Sequence, residues 1–208
     1  MVGSSESIIE PKKILTPEDC KNFTKFYPGG KLEIVASVDI HPIAMKRFER
    51  YSERFISPEN YAPGDFYQFF IINAPASEQI HIANQTKTYS SGGSERLVYL
   101  HELDESRSEL GHGEIRLSLS NKEDSFRDKP FVGYTDTPKD LQGKGRGTNR
   151  LLIMNGLTHV MFGLSLHSDQ FHNHYEKAAE GAWKRLLREN LVRKYKERES
   201  DSWRYCFL

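Results

Sequence analysis

Residues 142–148 read Gln-Gly-Lys-Gly-Arg-Gly-Thr, and both the residue types and their spacing suit the binding of an anion. Glycine lowers helix propensity, yet Gly143, Gly145 and Gly147 stand directly before the apolar-rich run "NRLLIMNGLTHV". Such a cluster is expected where the backbone must approach a ligand closely or adopt torsions closed to other residues. A loop that runs into a helix N-terminus presents N–H groups without intrahelical acceptors, together with the positive end of the helix dipole, so a phosphate group sits well against it. Lys144 and Arg146 add charge at the rim, arginine for two-pronged contact and lysine as a point charge. Two other phosphate loops fail on spacing. A dinucleotide fingerprint begun at Gly143 would need glycine where Thr148 stands, and a Walker loop would need Gly-Lys-Ser/Thr after four spacer residues. The plainer alternative is a flexible loop that caps a helix.

The elements that would position this loop can be read outward from it. "ERLVYLHEL", "GEIRLSLSN" and "KPFVGYTDT" are rich in β-branched and aromatic residues and predict three consecutive antiparallel strands, with the polar stretches "DESRSELGHG" and "KEDSFRD" as connections. After the loop a helix of about 14 residues is expected from Thr148. A short strand "GLSLHS", a helix from Asn173 to Glu189 and two extended runs, "LVRKYKE" and "SWRYCFL", follow. In the first half, Thr16 and Pro17 begin a short helix. "KLEIVASVDI" and "FYQFFIINA" predict strands, and "PIAMKRFERYSERFI" predicts a helix between them. Residues 60–95 are rich in Pro, Gly, Ser and Asn, which predicts loops.

The order β-β-β-loop-α-β-α-β-β, with the glycine loop where it falls, resembles the GNAT superfamily of acyl-CoA-dependent N-acyltransferases. Gln142, Gly143, Lys144, Gly145, Arg146 and Gly147 match the family's Q/R-x-x-G-x-G/A pyrophosphate loop at each specified position. "VGYTDTP" looks like the strand before that loop, and "LSLHS" with the following Ala-containing helix looks like the remainder of the cofactor half. The resemblance implies a mixed α/β (α+β) fold: a mostly antiparallel sheet flanked by helices and splayed at its two central strands. It implies a tail at residues 1–8 and one domain over 9–208, with 9–94 as the variable substrate-facing part and 95–208 as the acyl-CoA-binding core. It further implies acetyl-CoA as cosubstrate, bound by Tyr134, Thr135, Gln142, Gly143, Lys144, Gly145, Arg146, Gly147 and Thr148. The pantetheine arm would lie between Tyr134–Asp136 and Leu166–Ser168, and an amine acceptor would attack the thioester directly in a ternary complex.

That reaction needs an acceptor for the amine's proton, donors for the oxyanion and an acid for the departing thiolate. Many GNAT members carry a tyrosine in the last helix, four residues after an alanine; counting from Ala179 places Trp183 there instead, and an indole has no acidic proton to give. His167, whose imidazole titrates near neutrality, and Tyr175 are therefore the expected catalytic residues, against plainer roles as a hydrogen-bonded histidine and a packing aromatic. Glu95, Glu102 and Glu114 are further candidate bases that simple exposed alternation would also explain. The three histidines of "HSDQFHNHY" include no i, i+4 pair, so no metal site is expected.

Composition bounds the rest. The chain has 208 residues, 37% of them hydrophobic, enough for a sizeable core. Its 29 Lys and Arg balance 29 Asp and Glu, so net charge points to neither nucleic acid nor membrane surface as a partner. The charge-dense "VRKYKERESD" mixes both signs and reads as a solvated strand and turn. Two cysteines, Cys20 and Cys206, are too few for a disulfide framework, and no signal-like or 18-residue apolar segment stands out, so a cytoplasmic chain is the expectation. Two functional readings remain open. One is an N-acetyltransferase acting on a small-molecule or protein amine, a homodimer being among its admissible assemblies. The other is a GNAT-like CoA-binding or protein-interaction module with weak or no catalysis.

Overall fold

In the computed structural model the described residues are 17–26, 31–34, 66–73, 79–88, 93–119, 129–169, 177–196 and 203–208. The expected tail at 1–8, the helix expected at 42–56, and Tyr175 lie outside them.

The described elements run α1 (Pro17–Phe26), β1 (Lys31–Ile34), β2 (Phe66–Asn73), β3 (Gln79–Thr88), β4 (Ser94–Leu103), β5 (Glu109–Ser118), β6 (Phe131–Asp136), a 3-10 turn (Lys139–Leu141), α2 (Arg146–Phe162), α3 (Lys177–Arg188), β7 (Val192–Lys196) and β8 (Trp203–Phe207). Strands β1 to β6 pair in chain order as one antiparallel sheet, and β7 pairs with β8. The fold is mixed α+β. The segment at residues 166–168 joins the two sheets: Phe131 makes a parallel bridge to His167, and His167 an antiparallel bridge to Cys206. Its bonds are Val132 N–H to His167 O at 3.0 Å, His167 N–H to Pro130 O at 2.8 Å and Phe207 N–H to Leu166 O at 3.1 Å. Among the described residues this parallel pairing ends at Val132, while β6 continues beside β5 to Asp136. A register shift between Glu114 and Ile115 leaves Gly133 as a bulge in β6, a device that re-aims the following side chains.

One face of the sheet, with Ile80, Ile82, Val98, Leu100, Ile115, Leu117 and Val132, packs against Phe23 of α1, Leu151, Met154 and Leu157 of α2, and Trp183 and Leu186 of α3. Helix α2 is buried around most of its circumference, as a central helix is. Its buried Asn155 accepts the Leu166 N–H at 3.1 Å, which ties the linking segment to the helix.

The expected strand "GLSLHS" pairs only through single bridges at His167, and three further elements differ from the sequence reading, each for a physical reason. Strand β3 lies in the stretch read as loops, because His81, Asn84 and Gln85 are buried polar residues that weaken an apolar strand signal. Strand β5 begins at Glu109, inside a stretch read as a connection. Its Gly111 and Gly113 are there for close approach: a Cβ at 111 would collide with the Arg150 guanidinium, and one at 113 would stand 3.2 Å from Arg150 Cδ. Helix α2 starts at Arg146 rather than Thr148, so Gly147 belongs to its first turn.

Candidate functional site

Strand β6 hands the chain to the glycine loop through a turn closed by Leu141 N–H to Pro138 O at 2.9 Å and Gln142 N–H to Lys139 O at 3.3 Å. The Gln142 side chain braces it by donating to Thr137 O at 3.0 Å. Gly143 and Gly145 then adopt φ of 77° and 80°, left-handed torsions that residues with a Cβ adopt at a cost. Gly145 is the N-cap of α2 and supplies no side-chain cap; its carbonyl accepts the Asn149 N–H at 3.0 Å. Helix geometry leaves the Gly147 and Thr148 N–H groups without an intrahelical acceptor, and both residues border a cavity.

The cavity measures about 420 Å³. Thr135, Asp136 and Thr137 form one wall, Gln142, Gly143 and residues 145–148 the floor, and Gly181, Ala182, Trp183 and Arg185 of α3 the opposite wall. Of the residues expected to hold the cofactor, Thr135, Gln142, Gly143, Gly145, Arg146, Gly147 and Thr148 border this space, whereas Tyr134 and Lys144 do not. Gly147 and Gly181 are helical glycines that packing does not demand. A Cβ at 147 would meet Ala182 Cβ at an ordinary 3.9 Å, and one at 181 would meet nothing within 4 Å. Each costs its helix about 1 kcal/mol relative to alanine, so the unfilled space beside them is what glycine preserves. Arg185 is a second cation at the cavity, beside Arg146: its Nη1 lies 3.3 Å from where a Cβ on Gly145 would stand. Its Nε donates to Glu189 Oε1 at 2.9 Å, and an anion held between its Nη1 and the N-terminus of α2 would meet positive potential from both sides.

The wall formed by β6 is fixed from behind by Arg150, a fully buried residue on α2. Its Nε and Nη2 donate to Glu102 Oε1 and Oε2 at 2.8 and 2.9 Å. Its Nη1 donates to Thr135 Oγ1 at 2.9 Å, Asp136 O at 2.7 Å and Thr137 Oγ1 at 3.1 Å. One side chain thus joins β4, α2 and all three β6-side residues of the cavity. Both Glu102 oxygens are engaged in this pair, so Glu102 is part of the scaffold rather than a base open to substrate. Glu114, buried on the other face of β5, pairs with the Arg116 guanidinium.

Of the catalytic residues expected from sequence, His167 is the described one, and it is not at the cavity. His167 Nδ1 is 2.8 Å from Tyr195 Oη, its Nε2 is 3.5 Å from Cys206 Sγ, and the ring meets Tyr195 edge-on. It is turned toward the β7–β8 hairpin and does not border the cavity. The Cys206 thiol beside it is no nucleophile: burial pushes its pKa up, and it donates to Phe207 O at 3.1 Å. Trp183, only 2% exposed, stacks on Tyr205 at 5.8 Å between ring centres and meets Phe207 at 5.6 Å, so the hairpin backs the α3 wall of the cavity. Arg150 and Arg185 had no signal in the sequence, since an isolated arginine on a helix reads as surface. Among the described residues no group of three His, Cys, Asp or Glu side chains is placed to hold a metal ion, and no helix is long and apolar enough to cross a membrane. Comparison of the chain with protein-family models and with curated proteins finds no match.

Proposed function

We propose that the protein is an N-acyltransferase that binds acetyl-CoA in the cavity at the start of α2 and transfers the acyl group to a primary amine by direct attack. The observation that carries this reading is the cavity floor. An uncapped helix N-terminus follows two left-handed glycines, faces a glycine and an arginine of α3, and has Arg146 at its rim. That combination suits a diphosphate: N–H donors and the helix dipole meet the anion, glycines let it come close, and the arginines can grip its oxygens in pairs. The likeness of residues 142–147 to the GNAT pyrophosphate loop supports the same ligand. From there the pantetheine arm would run along Thr135 and Asp136, toward the point where β6 and residues 166–168 part. On this reading the thioester would lie at the end of β6, as the GNAT resemblance implies.

Ligand binding tests the reading first. CoA at about a hundred times its dissociation constant should stabilise the native state by about 2.7 kcal/mol, which a thermal unfolding scan reads as a raised midpoint. An unchanged midpoint with millimolar CoA and acetyl-CoA removes the cofactor assignment. One observation favours a second reading, a CoA-binding interaction module: Trp183 is locked in the core where the family usually keeps a hydroxyl. Thiol release from acetyl-CoA in the presence of amines separates the two, since a module shows the midpoint rise without turnover.

A further inference from the structure

The wall of the cavity at the end of β6 carries hydroxyl groups whose protons the arginine behind them does not use. Arg150 Nη1 lies 2.9 Å from Thr135 Oγ1 and 3.1 Å from Thr137 Oγ1. A guanidinium only donates, so each threonine oxygen is the acceptor in its contact and its own proton must point elsewhere. For Thr135 this is the one side-chain hydrogen bond among the described residues, and Thr135 is half-buried at the border of the cavity. The register fixes the side it takes. Thr135 pairs with Gly113 of β5, directly paired residues share a face, and a Cβ at 113 would stand 3.2 Å from Arg150 Cδ. The donor behind it is fixed as well, because Nε and Nη2 of the buried Arg150 are held by the two Glu102 oxygens, which keeps Nη1 toward β6. An oxygen that accepts from a cation away from bulk water becomes a stronger donor through its own O–H.

The acyl transfer develops negative charge on the departing sulfur, and a fixed donor at that atom lowers the barrier. Trp183, on the opposite wall, is packed on Tyr205 and Phe207 and offers no hydroxyl. Thr148 belongs to the first turn of α2, in the floor, and Thr137 follows β6 toward the turn; Thr135 is the cavity hydroxyl on β6 itself. Resting on the acyltransferase reading, we propose that the Thr135 hydroxyl, polarised by Arg150, is the hydrogen-bond donor that stabilises the CoA thiolate as it leaves. The amine nitrogen's lone pair forms the C–N bond at the thioester carbon, and the carbonyl electrons move to oxygen. When they return, the C–S bond breaks and its electron pair goes to sulfur, where the Thr135 O–H meets the charge. The threonine keeps its proton. The proton that the nitrogen must lose passes to the thiolate, giving amide and free CoA.

The test needs no acceptor amine. CoA bound to the full chain carries its thiol where the leaving group stands, and the ultraviolet absorbance of the thiolate follows its ionisation as pH is raised, against CoA in solution. The expected result is a thiol pKa lowered in the complex, with about one to two units of the lowering due to Thr135, the size of a hydrogen bond to a charged group. Thr135→Ser keeps the hydroxyl and should keep the lowered value. Thr135→Val keeps the branched shape and should raise the bound thiol's pKa by that amount, while the CoA-induced rise in unfolding midpoint stays as in the wild type. Arg150 Nη1 retains Asp136 O and Thr137 Oγ1 in this variant, so the wall stays fastened. Thr135→Ala carries the same expectation and decides the matter should Thr135→Val fail to fold. A rise in midpoint with CoA but a thiol that titrates as in solution, or a wild-type thiol pKa in the variants without the hydroxyl, overturns the proposal and leaves the cofactor site standing. No rise with CoA overturns the acyltransferase reading and the donor with it.

Discussion

Gly147 and Gly181 lower the stability of the helices they sit in, and nothing packed against them accounts for it. Each should therefore show opposed effects on stability and binding. Gly147→Ala and Gly181→Ala should each raise stability by about 0.5–1 kcal/mol, the helix propensity recovered, as read from urea midpoints without ligand. In the same proteins the rise in midpoint caused by CoA should shrink, because a methyl group then occupies the space the ligand needs. Gly145 differs: its left-handed torsion makes any side chain strained, so a substitution there would lower stability and binding together and separate nothing. If alanine at 147 and 181 leaves the CoA effect unchanged, the cavity is not the CoA site.

The elements around the cavity are held together mainly through Arg150. It bonds β4 through Glu102, and β6 with its following turn through Thr135, Asp136 and Thr137. Removing one partner of a buried ion pair leaves an uncompensated charge, so Arg150→Met alone should cost about 3–5 kcal/mol. Replacing both members with apolar residues of similar volume is often neutral for stability. The double variant Arg150→Met, Glu102→Leu should thus recover much of the lost stability in denaturant unfolding. Its CoA response should remain weak, since the cavity wall of β6 is no longer fastened to α2. A double variant that binds CoA like the wild type would show that the clamp serves folding alone. On the opposite wall, Trp183 is pinned by Tyr205 and Phe207, so the terminal hairpin supports the α3 side of the site in the way Arg150 supports the β6 side.

At the scale of the whole molecule the charges balance, and the positive character of the cavity is local to Arg146 and Arg185. The pH response of folding rests on titrating groups that folding takes out of water, of which the half-buried His159 near the C-terminus of α2 is one. Burial holds its pKa below the ordinary 6.5. The unfolded chain then binds a proton near 6.5 that the folded chain resists, so the folded state carries fewer protons in the window below that value, and stability rises with pH there. The contribution is fully present above about pH 6.5 and is lost as pH falls toward the folded value. His159→Gln, which cannot titrate, should lose less stability than the wild type between pH 7.5 and pH 5, measured as the difference in urea midpoints. Equal losses would mean that His159 is as easily protonated in the fold as in the open chain.

What the sequence determined by itself were the features encoded over short distances. The glycine loop, its place between strand and helix, the strand "FYQFFIINA" and the terminal hairpin are all legible because torsional demands and local periodicity reside in the residues concerned. Residues 142–148 stand in the structure as a loop and helix start, as their glycines require. What only the tertiary structure decided is which side chains meet. Arg150 and Glu102 are 48 positions apart in sequence, and neither differs in type from a surface residue; pairing β4 with β5 and laying α2 across them buries both. The same packing explains Gly111 and Gly113, which read locally as turn residues and are in fact the clearance for that arginine. His167 was expected at the cleft from its place at the end of a strand, but strand polarity alone does not say which face a side chain takes. The hydrogen bonds of residues 166–168 to both β6 and β8 set that face, and they turn the imidazole toward Tyr195 and Cys206. The orientation of His112 toward Glu109 is likewise a product of register, since a one-residue slip in β5 would exchange it with Gly111 or Gly113 and place it against α2.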